Sequence, residues 1–409
     1  MEKSQNKKFS KISWLVFIFT ISIVMISLVP AIFPALFSNT FFNSELDTFE
    51  VPSNYGIDSF EIGGLAPPLI ISNIVILTFF FFFKKKGFQK KLDRVVKYQI
   101  SQRIAIITII IILAGYVSVS YSEIGIGLPI GQNDELYGDW DRLKHKLANM
   151  ENIWPQQITA EPHFKHTLLK ISGIIFGNYF VIPFLSSIGL LIVTYLFTSK
   201  ITDSRLAGLL ALLLVLQSNL FLSFDTSAAF SSFWILFYLL SLYLLIKIFP
   251  LSPVFYVLSI FSKTLTALFA PMSIFFILNS DIPKQRKIII ALIFLIIILI
   301  GIALLSFQTD VGLDWNPNEF WLGFTAFAFS MRLDSVFVVF LIPLTVGLFI
   351  VSKNNRYANS ILILLVGTLL SAPFVTGITD MTNQPYRFLP LIVFFSVGVG
   401  MIVTNRKTT

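Results

Sequence analysis

Asp134 and Glu135 stand side by side just past the end of an apolar run. Two adjacent carboxylates can divide the work of a transfer reaction, one taking a proton from an acceptor and the other orienting that acceptor or a metal. Like-charge proximity raises the proton affinity of one of them and favours such a division. Two solvated loop acids are the plain alternative at this spacing. The pair belongs to a polar stretch, 131–166, that carries six of the 22 acids and all three histidines, His145, His163 and His166. Asp139 and Asp141 flank Trp140, and Asp-x-Asp can hold a divalent ion; on a helix the two side chains diverge, so we read a solvated helix start. His163 and His166 are three apart, share a face if helical, and could bind a metal together with an acid. Two histidines fall short of a site, and an interfacial position is the simpler reading.

Three further ionisable residues sit where charge is costly. Lys263 lies inside an apolar stretch, and Arg387, within Gln384-Pro385-Tyr386-Arg387-Phe388-Leu389-Pro390, opens the last apolar run. A cation at membrane depth is usually paired with something anionic; for Arg387, reaching out to lipid headgroups is the equal alternative. Asp225 occupies a short link between two apolar runs, where it could pair with either cation or be solvated.

The elements that must position these groups are membrane helices. Of 409 residues, 55% are hydrophobic, 44 are Phe and only 13% are charged, against roughly 25% charged in soluble domains. Several apolar runs have the length of about 20 residues that a helix needs to cross about 30 Å of hydrocarbon. The expected fold is an all-α, polytopic membrane protein with about ten full spans, near 12–37, 67–83, 104–120, 179–198, 206–222, 228–249, 288–306, 334–351, 357–376 and 388–404. The first run follows a basic start but is too long for a cleaved leader, so it is read as a retained helix. Pro253–Leu278 is expected to be a re-entrant helical hairpin broken near Ser262-Lys263-Thr264, because Lys247 before it and Lys284, Arg286 and Lys287 after it then share one side. The stretch 166–176 alternates at helical spacing and should lie along the interface.

Charge sets the orientation. With the N-terminus inside, 22 of the 30 Lys and Arg fall on the inner side, and only 4 of the 22 acids, as the positive-inside rule requires. Both termini are then cytoplasmic in a multi-pass cell-membrane protein, and 121–166 faces outward. The net charge of +8 reflects orientation and attraction to anionic lipid, with no indication of nucleic acid. The absence of cysteine excludes disulfides, thiolate zinc sites and cysteine nucleophiles.

The order of these features resembles the GT-C superfamily of membrane glycosyltransferases, in particular protein O-mannosyltransferase-like and lipid A aminoarabinose transferase-like members. The matching series is Asp134-Glu135-Leu136-Tyr137, Glu161-Pro162-His163 leading to Phe176-Gly177, the small-residue-rich Gly208–Ser223, Asp225, Ser262-Lys263-Thr264, and Tyr386-Arg387-Phe388-Leu389-Pro390. It covers about 104–404, which would be the catalytic domain with its outer active-site loop at 121–166; residues 1–103, two spans and a basic cytosolic loop, would be an N-terminal extension. The chain departs from the pattern at Leu222-Ser223-Phe224, where the family commonly has an Arg, and in the inverted order Pro162-His163.

The resemblance implies a polyprenyl-phosphate-linked sugar as donor and a glycan, lipid or protein hydroxyl as acceptor on the extracytoplasmic face. Asp134 would be the general base and Glu135 would position it or the acceptor. Tyr137, His163 and Asp225 would belong to the substrate site. Lys263 and Arg387 would stabilise the departing lipid phosphate, a task suited to preorganised cations in a water-poor site. No cofactor is certain, and a divalent metal is left open. The rival readings are a polytopic transporter, which would normally show internal repeats and charges at the midplane, a non-catalytic membrane scaffold, and another enzyme of lipid-linked glycans.

Overall fold

The computed structural model describes residues 9–34, 36, 60–85, 99–125, 139–150, 163–308, 315–378 and 385–404. It is 85% helical, with no strand among the described residues. In chain order the α-helices are α1 (Lys11–Ile32), α2 (Ala66–Lys85), α3 (Gln102–Gly125), α4 (Asp139–Ala148), α5 (His163–Phe176) and α6 (Val181–Thr202). Then come α7 (Arg205–Leu216), α8 (Asn219–Phe224), α9 (Phe233–Lys247), α10 (Ser252–Ser262), α11 (Ala270–Asn279) and α12 (Lys284–Gln308). The chain closes with α13 (Pro317–Leu322), α14 (Thr325–Ser330), α15 (Ser335–Ser352), α16 (Tyr357–Ile378) and α17 (Leu389–Val403).

Among the described residues six helical stretches are long and apolar enough to cross a membrane: Lys11–Ile32, Gln102–Ser122, Val181–Thr202, Ser335–Ser352, Tyr357–Ile378 and Pro385–Val403. The chain is a helical membrane protein. Two of the other expected spans depart from single helices for local reasons. The run 206–222 is divided at Gln217–Ser218, where the Ser218 hydroxyl accepts the Phe221 N–H at 3.0 Å and starts α8 afresh. The run 228–249 becomes helical only at Phe233, after a buried, non-helical segment from Asp225 to Ser232.

The residues group into two compact units. The first takes in 1–96 and 311–395, the second 97–310 and 396–405, so that α17 begins in one and ends in the other. In the first, α1 packs on α15 and α16, and α2 on α15. Asn73 Nδ2 donates to the Val339 carbonyl at 3.0 Å and Asn359 Nδ2 to Ser13 Oγ at 3.0 Å, the polar glue usual between membrane helices. The two N-terminal helices are thus built into the C-terminal ones. Their buried residues, Val16, Val24, Leu28 and Leu69 among them, have these helices as cover.

In the second unit α9 is the reference axis. Ser187 Oγ and Ser232 Oγ are 3.0 Å apart, and Leu236 lies over Gly189, so α6 runs alongside α9 in the same direction. Ser241 Oγ donates to the Ser252 carbonyl at 2.8 Å and Ser259 Oγ to the Trp234 carbonyl at 2.6 Å, so α10 runs back along it. The chain leaves the helix at Lys263, in extended conformation (φ −161°, ψ 118°), and passes through the 3-10 turn Thr264–Phe269. From there it descends again: Phe269 meets Trp234 and Tyr238, and Ser273 Oγ lies 3.0 Å from the Tyr238 hydroxyl. Pro271 fits the first turn of α11, where its missing N–H leaves no orphan. The result is a helical hairpin with Lys263 at its joint. Its two feet return to one end of the unit, where the Arg286 guanidinium lies 4.8 Å from the Phe249 ring.

The turn between α6 and α7 is equally tight. Asp203 adopts a left-handed conformation (φ 52°), and Gly208 lets α7 close on α6: a Cβ there would collide with Ser199 Oγ and lie 2.6 Å from the Tyr195 carbonyl.

Candidate functional site

One group of polar residues of the second unit gathers at the end of α9 where that helix begins. Asp225 is there, 2% exposed. Its Oδ2 accepts a hydrogen bond from the Tyr116 hydroxyl at 2.6 Å and from Ser120 Oγ at 3.2 Å. Tyr116 and Ser120 are four apart on α3 and so share a face. The backbone of this segment is held as well: Ser187 Oγ donates to the Asp225 carbonyl at 2.7 Å, and the Lys165 ammonium of α5 to the Ala229 carbonyl. Ser186 Oγ and Ser232 Oγ, 2.7 Å apart, complete a hydroxyl-rich packing around it. Non-helical backbone in a membrane protein is tolerated only where protein or water satisfies it, and here side chains from two helices, α5 and α6, do so. Asp225 is therefore enclosed and hydrogen-bonded, in place of the solvated position that the sequence left open for it.

Lys263 lies at the same end. The hairpin's Ser259 is bonded to the Trp234 carbonyl, one residue into α9, and the Lys263 ammonium sits 5.5 Å from the centroid of the Trp234 ring. Trp234 itself is 2% exposed, and its indole Nε1–H has no acceptor among the described residues. An ammonium over a π-face, with an orphan N–H donor beside it, makes this corner attractive to an anion.

His163 and His166 are buried in α5, which packs against α6 and α10. Burial pushes the His166 imidazole down to about 3, and the nearby charges of Lys165, Lys146 and His163 add to the effect. Among the described residues no three His, Asp or Glu converge on a metal-sized site. Arg387 lies half-buried in the 3-10 turn Pro385–Phe388, within the first unit.

Asp134, Glu135 and Tyr137 lie outside the described residues. The described residues before and after them belong to this end of the unit. Ile124, near the close of α3, gives its carbonyl to Asn178 Nδ2 at 2.9 Å, just before α6 begins. Beyond the segment, α4 is tied to α5 by the Lys170 ammonium on the Leu147 carbonyl at 2.9 Å.

Tyr116, Ser120, Ser187 and Lys165 are absent from the expected site. The Tyr116/Ser120 spacing was a readable signal of one polar helix face; nothing in the sequence linked that face to Asp225, 109 residues on. Searched against protein-family models, curated proteins and solved structures, the chain matches none.

Proposed function

We propose that this chain is a GT-C-type membrane glycosyltransferase that moves a sugar from a polyprenyl-phosphate carrier to a hydroxyl acceptor on the extracytoplasmic face. The observation that carries this reading is the gathering at the start of α9. A half-exposed cation, Lys263, an orphan indole donor, Trp234 Nε1–H, and a buried carboxylate, Asp225, share that end with the residues flanking 126–138. A phosphate leaving group develops negative charge, and preorganised donors in a dry site are the physical means of stabilising it. Asp134 acts as general base and Glu135 orients it or the acceptor. Tyr137 and His163 border the substrate. Lys263 receives the departing phosphate. The hairpin dips into the bilayer and returns, ten spans complete the fold, and both termini are cytoplasmic. A divalent metal is not required by these roles.

The test is transfer from radiolabelled polyprenyl-phosphate sugars to membrane acceptors. Asp134→Asn should lower turnover by about 10²–10⁴, the usual cost of a lost general base, with insertion and folding unchanged. Asp139→Asn should transfer normally. Full activity in Asp134→Asn, or loss confined to Asp139→Asn, would remove Asp134 from the mechanism.

A further inference from the structure

The opposite end of the second unit holds a cleft that the proposed reaction does not use. Its volume is about 400 Å³, and Lys200, Asp203 and Arg205 line it together with Tyr195, Leu196 and Tyr243. It lies where α6 ends, α7 begins and α9 approaches its own end, the same end to which the hairpin's feet return. From its geometry we infer that this cleft binds a phosphate-bearing anion, with the headgroup phosphate of an anionic lipid as its natural occupant.

Three observations carry the inference. Charge comes first: two cations and one acid line the cleft, and Lys247 adds a third cation at its edge, 5.7 Å from the Tyr243 ring centroid. Preorganisation is the second. Arg205 Nη1 donates to the Ile100 carbonyl at 3.0 Å, which fixes the guanidinium while most of its five donors stay unused. Planar, fixed guanidinium groups suit phosphate oxygens. Arg205 also opens a helix of 12 residues, whose first N–H groups and dipole add to the attraction for an anion. The third is the mixed wall. Leu196 and the rings of Tyr195 and Tyr243 offer apolar surface beside the cations, a combination that suits a phosphate joined to acyl chains better than one free in water. Isolated basic residues facing a membrane need no cavity; these two share one. The sequence places this end on the inner side, where the negative potential of anionic lipids attracts basic groups.

The experiment uses the full-length protein in neutral detergent, with native mass spectrometry as the readout. Phosphatidylglycerol should be retained about tenfold or more over phosphatidylcholine with the same acyl chains. Lys200→Gln and Arg205→Gln should each lower that retention about tenfold, the cost of one charge-assisted contact. Arg205→Lys, which keeps the charge, should restore part of it. Lys284→Gln, which removes a charge outside the cleft, should change nothing. Inorganic phosphate supplied alone separates the sources: competition supports the site and assigns it a soluble phosphate, and failure to compete supports the site and assigns it to lipid. Lys200 makes no bond among the described residues that its loss would break, so its variant stays interpretable if Arg205→Gln misfolds. Equal retention of the two lipids, or phosphatidylglycerol retained by Lys200→Gln as by the unaltered chain, overturns the inference.

Discussion

The second unit interrupts its helices at two places beside the start of α9, and each interruption carries one ionisable residue, yet the two are built differently. At Asp225 the charge is closed in: Tyr116 and Ser120 hold the carboxylate, and Ser187 and Lys165 hold the backbone around it. At Lys263 the chain is half-exposed, and the ammonium lies 5.5 Å from the centroid of an indole ring whose N–H has no acceptor among the described residues. A hydrogen-bonded buried charge costs stability when its partners are removed. A half-exposed cation, by contrast, stays in touch with its surroundings. The first arrangement encloses its ionisable group; the second leaves it half-exposed, and it is the second that the proposed function assigns to binding.

The difference is largest in activity. Lys263→Met should reduce transfer from the lipid-linked donor by about 10²–10³, the scale seen when one donor to a developing negative charge is lost. Thermal stability in detergent should move by about 1 kcal/mol or less, the worth of the cation–π contact. A Lys263→Met protein that transfers normally but melts early would reverse the assignment and make Lys263 the structural residue.

Tyr116→Phe should do the opposite. It removes the 2.6 Å hydrogen bond to Asp225 and little volume, and bonds to charged groups contribute about 2 kcal/mol. Ser120→Ala, whose contact is longer at 3.2 Å, should cost less. Unfolding midpoints of the two variants check both the size and the order. If neither shifts, Asp225 is not held by α3.

How far the sequence disclosed this arrangement depends on the physics of each part. The break at Lys263 was readable because a polar triplet, Ser262-Lys263-Thr264, interrupts an apolar run whose flanks are both basic. The helices of greatest length were readable from hydropathy alone. The division at Ser218 was not: Gly208–Ser223 reads as one continuous run, and a single hydroxyl decides whether the chain caps a new helix there. Nor was the enclosure of Asp225 readable, because its partners lie on α3 and α6 and only packing brings them together. The charge of a link between spans reads the same whether water or protein surrounds it.

Acid should expose the enclosed side of the comparison. His166 neighbours Lys165, which serves the Asp225 segment, and its imidazole is held neutral with a pKa of about 3 against 6.5 when free. The folded-state value is depressed, so the unfolded chain binds the proton first. The contribution of this group is complete above about 6.5 and is lost as pH falls through the window down to about 3, with a slope of about 1.4 kcal/mol per pH unit. His166→Gln should flatten this part of the stability profile between those limits. An unchanged slope in the variant would mean that other groups govern the acid loss and that α5 is open to water at this position.

The smallest effect bears on how the chain reaches Asp225 at all. The Ser218 hydroxyl accepts the Phe221 N–H at 3.0 Å and begins α8, which delivers the carboxylate to Tyr116. Ser204 caps α7 in the same way, with a longer contact of 3.4 Å to the Ala207 N–H. Replacing a serine cap by alanine costs about 1 kcal/mol, so Ser218→Ala should lower stability by about that amount and Ser204→Ala by less. Ser218 differs in its place just ahead of the Asp225 segment: without the cap, α7 is free to run on through 217–218 and rotate every later side chain about its axis. Ser218→Ala should therefore also weaken the Tyr116 contact, so that Tyr116→Phe costs less in its background than alone. A double-mutant cycle measures this coupling directly. Additive losses would show that α8 keeps its place without the cap, and that the enclosure of Asp225 owes its geometry to packing alone.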